Sequence, residues 1–99
     1  MSRTFLFRPQ VASDLAGAVN WYRNNRPGLD AEFLRDFEAT LAAIDRNPFQ
    51  YQIVRQQTRR AMPHDFPYAV MYVASDQDVL VVSCLHVRRN PAEWIKRLE

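Results

Sequence analysis

Apolar positions in the first half of the chain repeat with a helical period. Val11, Leu15, Ala18, Val19 and Tyr22 recur at i, i+4, i+7, i+8 and i+11, which is one stripe of a helix. Pro9 suits the first helical position, where a missing N–H removes no hydrogen bond. The run Asn24-Asn25-Arg26-Pro27-Gly28 joins good terminators to two breakers and ends the element. Ahead of it, Arg3-Thr4-Phe5-Leu6-Phe7-Arg8 alternates as a strand does, with Phe5 and Phe7 on one face. Asp30 is a natural N-cap for a second helix through about Arg46, striped by Phe33, Leu34, Phe37, Leu41 and Ile44. Asn47-Pro48 stops it. So short a connection predicts that the two helices form an antiparallel hairpin over 9–47.

The period then changes. Ile53-Val54-Arg55 and Thr58-Arg59-Arg60-Ala61-Met62 could each be a short strand, and the longer second one is favoured. Two prolines confine Pro63-His64-Asp65-Phe66-Pro67 to a loop. Tyr68 to Ala74 reads as a strand, Ser75-Asp76-Gln77-Asp78 as a hairpin turn, and Val79 to His86 as the most apolar and central strand. Asn90 caps a short helix from Pro91 to about Leu98, with Trp94 and Leu98 facing inward; so short a helix must dock to persist. The expected class is α+β: a strand, an antiparallel helical hairpin, a three-stranded antiparallel meander and a short C-terminal helix. The hairpin packs on one face of an antiparallel sheet.

Size and composition narrow the picture. The chain has 99 residues, so it supports one domain over 1–99 and a single core. Its 47% hydrophobic content is enough for that core, and no apolar run approaches the roughly 18 residues of a membrane helix. No secretory h-region is visible, and the chain reads as soluble and cytoplasmic, without a membrane partner. A single cysteine, Cys84, excludes an internal disulfide and a multi-thiolate zinc site. Neither a cofactor nor a metal is expected. Cys84 with His64 lacks ligand spacing, and Asp76-Gln77-Asp78 lacks the further acids of a calcium loop.

Net charge is +2, and of 13 basic side chains all but Lys96 are arginine. Residues 1–50 are neutral, so the excess lies in 51–99, on Arg55, Arg59, Arg60, Arg88, Arg89, Lys96 and Arg97. Guanidinium groups pair with carboxylate and phosphate and stack on aromatic faces, but they cannot act as general bases.

Certain local sequences are more specific. They are Ala12-Ser13-Asp14-Leu15, Trp21-Tyr22, Arg26-Pro27-Gly28-Leu29, Phe33 and Phe37, Asn47-Pro48 and Arg59-Arg60. Phe66-Pro67-Tyr68-Ala69-Val70-Met71-Tyr72 and Leu85-His86-Val87-Arg88-Arg89-Asn90-Pro91, followed by Trp94, are the most diagnostic. Together they resemble the RelE/ParE superfamily of bacterial type II toxins, in its ParE-like, "plasmid stabilisation" branch. The resemblance implies a toxin neutralised in a hetero-oligomer by a ParD-like antitoxin, whose C-terminal segment is disordered when free and wraps the toxin. Operator DNA would then be reached only through the antitoxin. ParE-type members poison DNA gyrase, whereas RelE-type members cut mRNA in the ribosome. A non-toxic member acting only as an antitoxin-binding protein is a third alternative.

Chemistry separates the first two. Cleaving RNA through its 2′-hydroxyl takes a base, clustered cations and an acid. Where RelE-like sequences usually carry an arginine after the strand tyrosine, this chain has Ala69, and residues 50–62 contain no lysine. Trp94 stands where they place a C-terminal tyrosine, and its indole is no acid near neutral pH. An RNase here would rest on His86 and Arg88 alone, whereas inhibition by binding needs no such constellation. Arg59, Arg60, His86, Arg88, Arg89 and Trp94 are the expected target-binding residues, of the types that dominate interface energetics. Phe49, Tyr51, Ile53, Val54 and Trp21 are the expected antitoxin-binding residues. Each has a plainer reading: paired or solvated arginines, a half-buried hydrogen-bonded His86, and Trp21 at the margin of the helical stripe.

Overall fold

A computed structural model of the chain describes residues 3–87 together with Lys96. Its elements are β1 (Thr4–Phe7), α1 (Pro9–Asn25), α2 (Leu29–Arg46), a short 3-10 turn (Pro48–Gln50), β2 (Gln52–Arg55), β3 (Thr58–Ala61), β4 (Tyr68–Ala74) and β5 (Asp78–His86). The expected C-terminal helix over 91–98 lies outside the described residues, Lys96 apart.

Both helices follow their stripes. Val11, Ala18 and Tyr22 of α1 and Phe33, Phe37 and Ile44 of α2 are buried, with Leu15, Val19, Leu34 and Leu41 packed against them. Asp30 does not cap α2. Gly28 does, at φ 89°, a left-handed conformation that glycine adopts without a Cβ penalty. Asp30 sits instead in the first turn, beside the positive end of the helix dipole. It accepts from Arg23 Nε at 3.1 Å, which holds its carboxyl below the usual range. Tyr22 meets Phe33 with ring centroids 5.3 Å apart, so the hairpin is antiparallel as its short turn requires.

The sheet departs from expectation in three ways. Both candidate segments before residue 63 form strands, so the antiparallel part has four members rather than three. Among the described residues the sheet has five strands, in the order β1-β5-β4-β3-β2. It is mixed rather than antiparallel, because β1 runs parallel to β5, pairing Phe5 with Val79 and Phe7 with Val81. The connection between this parallel pair runs through the helical hairpin and then β2, β3 and β4, far longer than the crossover such a pair needs. In consequence β4, not β5, lies in the middle, although β5 is paired on both sides.

The two faces differ. Tyr68, Val70 and Tyr72 of β4 and Val79, Val81 and Cys84 of β5 join the helix-side core. Phe66 drops from the proline loop into the same core, 4.9 Å from Tyr22. That loop is pinned by Asp36 of α2, whose carboxylate accepts the N–H groups of His64 at 3.1 Å and Asp65 at 2.7 Å. A register shift between Met71 and Tyr72 leaves Val82 as an extra residue in β5. Val82 therefore joins Ala69 and Met71 in a second apolar cluster, with Val54 and Val87 against it, on the face away from the helices.

Candidate functional site

Strand alternation sorts the expected site residues. Arg59 pairs in register with Tyr72, and so lies on the helix side. Its guanidinium donates to the carbonyls of Tyr51 at 2.7 Å and Phe49 at 3.2 Å, and lies 5.3 Å from the Phe49 ring. Arg3 approaches the same ring at 6.0 Å while donating to the carbonyls of Asp45 and Ser75. Arg59 thus supports the turn between α2 and β2, because that turn presents carbonyls with no strand partner. Tyr72 completes the same support by donating its hydroxyl to the Pro48 carbonyl, and burial pushes its pKa up to about 12.

Arg60 is the opposite case. It pairs in register with Met71 and faces away from the helices. There it lines a cavity of about 50 Å³ together with Ala69, Met71, Leu85 and Val87. Arg60 makes no hydrogen bond or ion pair with any described residue.

His86 lies on the helix side, opposite Tyr68, with its ring 5.3 Å from the Tyr68 ring and edge-on to it. Along β4, Tyr68 and Tyr72 are about 13 Å apart, so Arg59 and His86 do not share a site. Arg88, Arg89 and Trp94 lie outside the described residues.

The expected antitoxin-binding residues also separate. Phe49 and Ile53 are exposed, Tyr51 is half-buried against Tyr72, and Val54 belongs to the outer cluster. Trp21 is 45% exposed but stands near the Gly28 turn. α2 runs from there to Arg46, about 27 Å, so Trp21 lies at the far end of the hairpin from Phe49. The placement does not bring Trp21 beside Phe49 or Val54.

Cys84 is buried, and burial first, then Asp14, pushes its thiol up to about 12. His64 is exposed; its hydrogen bond to Asp65, at 2.7 Å, raises its pKa. Such a pair contributes little in open water. Among the described residues, no three His, Cys, Asp or Glu side chains could hold a metal ion. No described helix is long and apolar enough to cross a membrane.

The outer-face cavity is what the reading of the sequence missed. Its signal was present in β4, where Ala69 and Met71 alternate with the core residues Tyr68, Val70 and Tyr72. A strand apolar on both faces has apolar surface to bury on both. Ser83 shares that outer face as the register partner of Met71, and its buried hydroxyl has no hydrogen-bond partner among the described residues.

A helical hairpin on a mixed sheet, with an apolar pocket on the opposite face beside Arg60, which has no partner among the described residues, defines a small two-layer α+β domain. The fold matches a solved structure titled "Chromosomal ParDE TA system from P. aeruginosa", with a TM-score of 0.73 at 10% identity, covering 86% of this chain and 96% of that one. No curated protein matches the sequence. The model of the ParE toxin of the type II toxin–antitoxin system parDE matches residues 5–91. The chain belongs to that ParE toxin family.

Proposed function

We propose that this ParE-family toxin acts by binding DNA gyrase, without cutting RNA, and is neutralised by a ParD-like antitoxin. The observation that carries the reading is the lining of the outer-face cavity. Position 69, where the resemblance puts an arginine in ribosome-dependent RNases, is alanine, and its neighbours are Met71, Leu85 and Val87. Arg60 is the single charged group among these described lining residues. A pentavalent phosphate needs several cations and a proton donor around it, and such a wall is suited to apolar contact instead.

The antitoxin follows the helical hairpin and adds an extended segment at the free edge of β2. The exposed Phe49 and Ile53 beside that edge support this route. Arg88, Arg89 and Trp94 remain proposed target contacts.

Expression without antitoxin tests the reading. The expected result is growth arrest with gyrase-linked DNA breaks and intact mRNA, and Arg88→Ala should lower toxicity while antitoxin affinity is kept. Message cleaved at codon positions on translating ribosomes would overturn it.

A further inference from the structure

We infer that the cavity between β3, β4 and β5 seats an aliphatic side chain from an acidic, extended segment of the protein this toxin inhibits, with Arg60 holding the carboxylate beside it. The inference rests on the reading that the chain acts by binding, and it adds where the target is held and by what chemistry.

Three observations carry it. First, Ala69, Met71, Leu85 and Val87 wall a cavity of about 50 Å³, suited to the tip of one aliphatic side chain rather than an aromatic ring. Second, Arg60 forms part of that wall and has no hydrogen-bond or ion-pair partner among the described residues. A half-buried guanidinium beside apolar surface is poorly hydrated, so a carboxylate reaching it gains a charge-assisted contact. Third, the strands supply no such carboxylate near it. Asp78 is the acidic residue of β5, and it stands seven positions from Leu85, about 23 Å along the strand.

The occupant's form follows. Side chains two apart on an extended segment point the same way, about 7 Å apart. An Asp or Glu two positions from a Leu, Ile or Val thus places one group in the cavity and the other at Arg60. The location selects the target over the antitoxin. The cavity opens on the face away from the helical hairpin, whereas the antitoxin's proposed route runs along that hairpin and the β2 edge.

The test uses the full chain with labelled methyl groups, followed by NMR. The probes are a pentapeptide Asp-Ser-Leu-Ser-Asp and its control Lys-Ser-Leu-Ser-Lys. The acidic peptide should shift the Met71, Leu85 and Val87 methyls saturably, and Arg60→Glu should weaken it at least tenfold. The lysine peptide should leave them unmoved. Equal effects from both peptides, no effect from either, or cavity shifts that follow protein concentration, marking a second copy, would overturn the inference. In cells, Arg60→Glu should relieve growth arrest at least tenfold while antitoxin binding stays intact. Full toxicity in that variant overturns this inference and leaves the binding mechanism standing. Ribosome-dependent mRNA cleavage by the wild type overturns the mechanism itself, and this inference with it.

Discussion

The carboxylate of Asp14 accepts the backbone N–H of Cys84 at 3.1 Å, joining helix α1 to strand β5 across 70 residues of sequence. The bond answers a deficit in the sheet. β1 pairs with β5 only as far as Val81, where the Arg8 N–H reaches the Val81 carbonyl, and beyond that point the edge of β5 has no neighbouring strand among the described residues. An unpaired backbone N–H in a buried setting is unfavourable, and α1 supplies the acceptor that β1 is too short to provide. Asp14→Ala should therefore lower stability by about 1 to 3 kcal/mol, and Asp14→Asn by less because its amide oxygen can still accept. Urea unfolding measures both, and an unchanged midpoint for Asp14→Ala would remove the bond from the account.

The alkaline limb of stability should be steep. Cys84 and Tyr72 both have folded-state pKa values raised to about 12, from 9 and 10, chiefly through burial. The folded chain thus keeps protons that the unfolded chain releases. Stability is full below about pH 9 and falls as pH rises toward 12, by on the order of 3 kcal/mol at pH 11. Cys84→Ala should delay the onset to about pH 10, leaving the Tyr72 contribution. Denaturant titrations at half-unit pH steps would show it.

How much of this was legible in the sequence depends on the range of the interaction. The stripes through Val11 to Tyr22 and Phe33 to Ile44 are local, and they gave both helices within a few residues. The apolar, β-branched run from Tyr68 to Ala74 gave β4 at its observed bounds. The parallel pairing of Phe5 with Val79 spans most of the chain, and nothing in either strand's pattern encodes its direction. β2 was harder to read because Gln52, Ile53 and Arg55 are all exposed, so no alternation marks it. For Arg59 and Arg60, alternation requires opposite faces but does not say which faces inward. The carbonyls of Phe49 and Tyr51, set by the turn after α2, decide that.

Gly28 should be the least replaceable residue of the hairpin turn. An added Cβ would meet nothing within 4 Å, so packing does not forbid it, but φ is 89°. Gly28→Ala should cost about 1 to 2 kcal/mol from backbone strain alone. A thermal melt reads the loss, and a neutral result would mean that the turn relaxes into another conformation.

Ser83 carries a buried hydroxyl with no partner among the described residues. Its desolvation is an uncompensated loss, so Ser83→Ala should hold stability or raise it by about 1 kcal/mol, unlike a truncation in a satisfied core. Destabilisation by more than that in urea would show that the hydroxyl is bonded in solution.

The adjacent arginines Arg59 and Arg60 should separate folding from action. Arg59 is tied to two carbonyls and to the Phe49 ring, so Arg59→Ala should lower stability by about 1 to 2 kcal/mol. It should also loosen the 49–51 turn beside the β2 edge, and so weaken antitoxin binding. Arg60 has no partner to lose among the described residues, so Arg60→Ala should leave the unfolding midpoint within about 0.5 kcal/mol. Its effect should fall on growth inhibition instead. Measuring melting, antitoxin affinity and growth arrest side by side distinguishes the two. Equal losses of stability in both variants would mean that Arg60 supports the outer face as Arg59 supports the inner one.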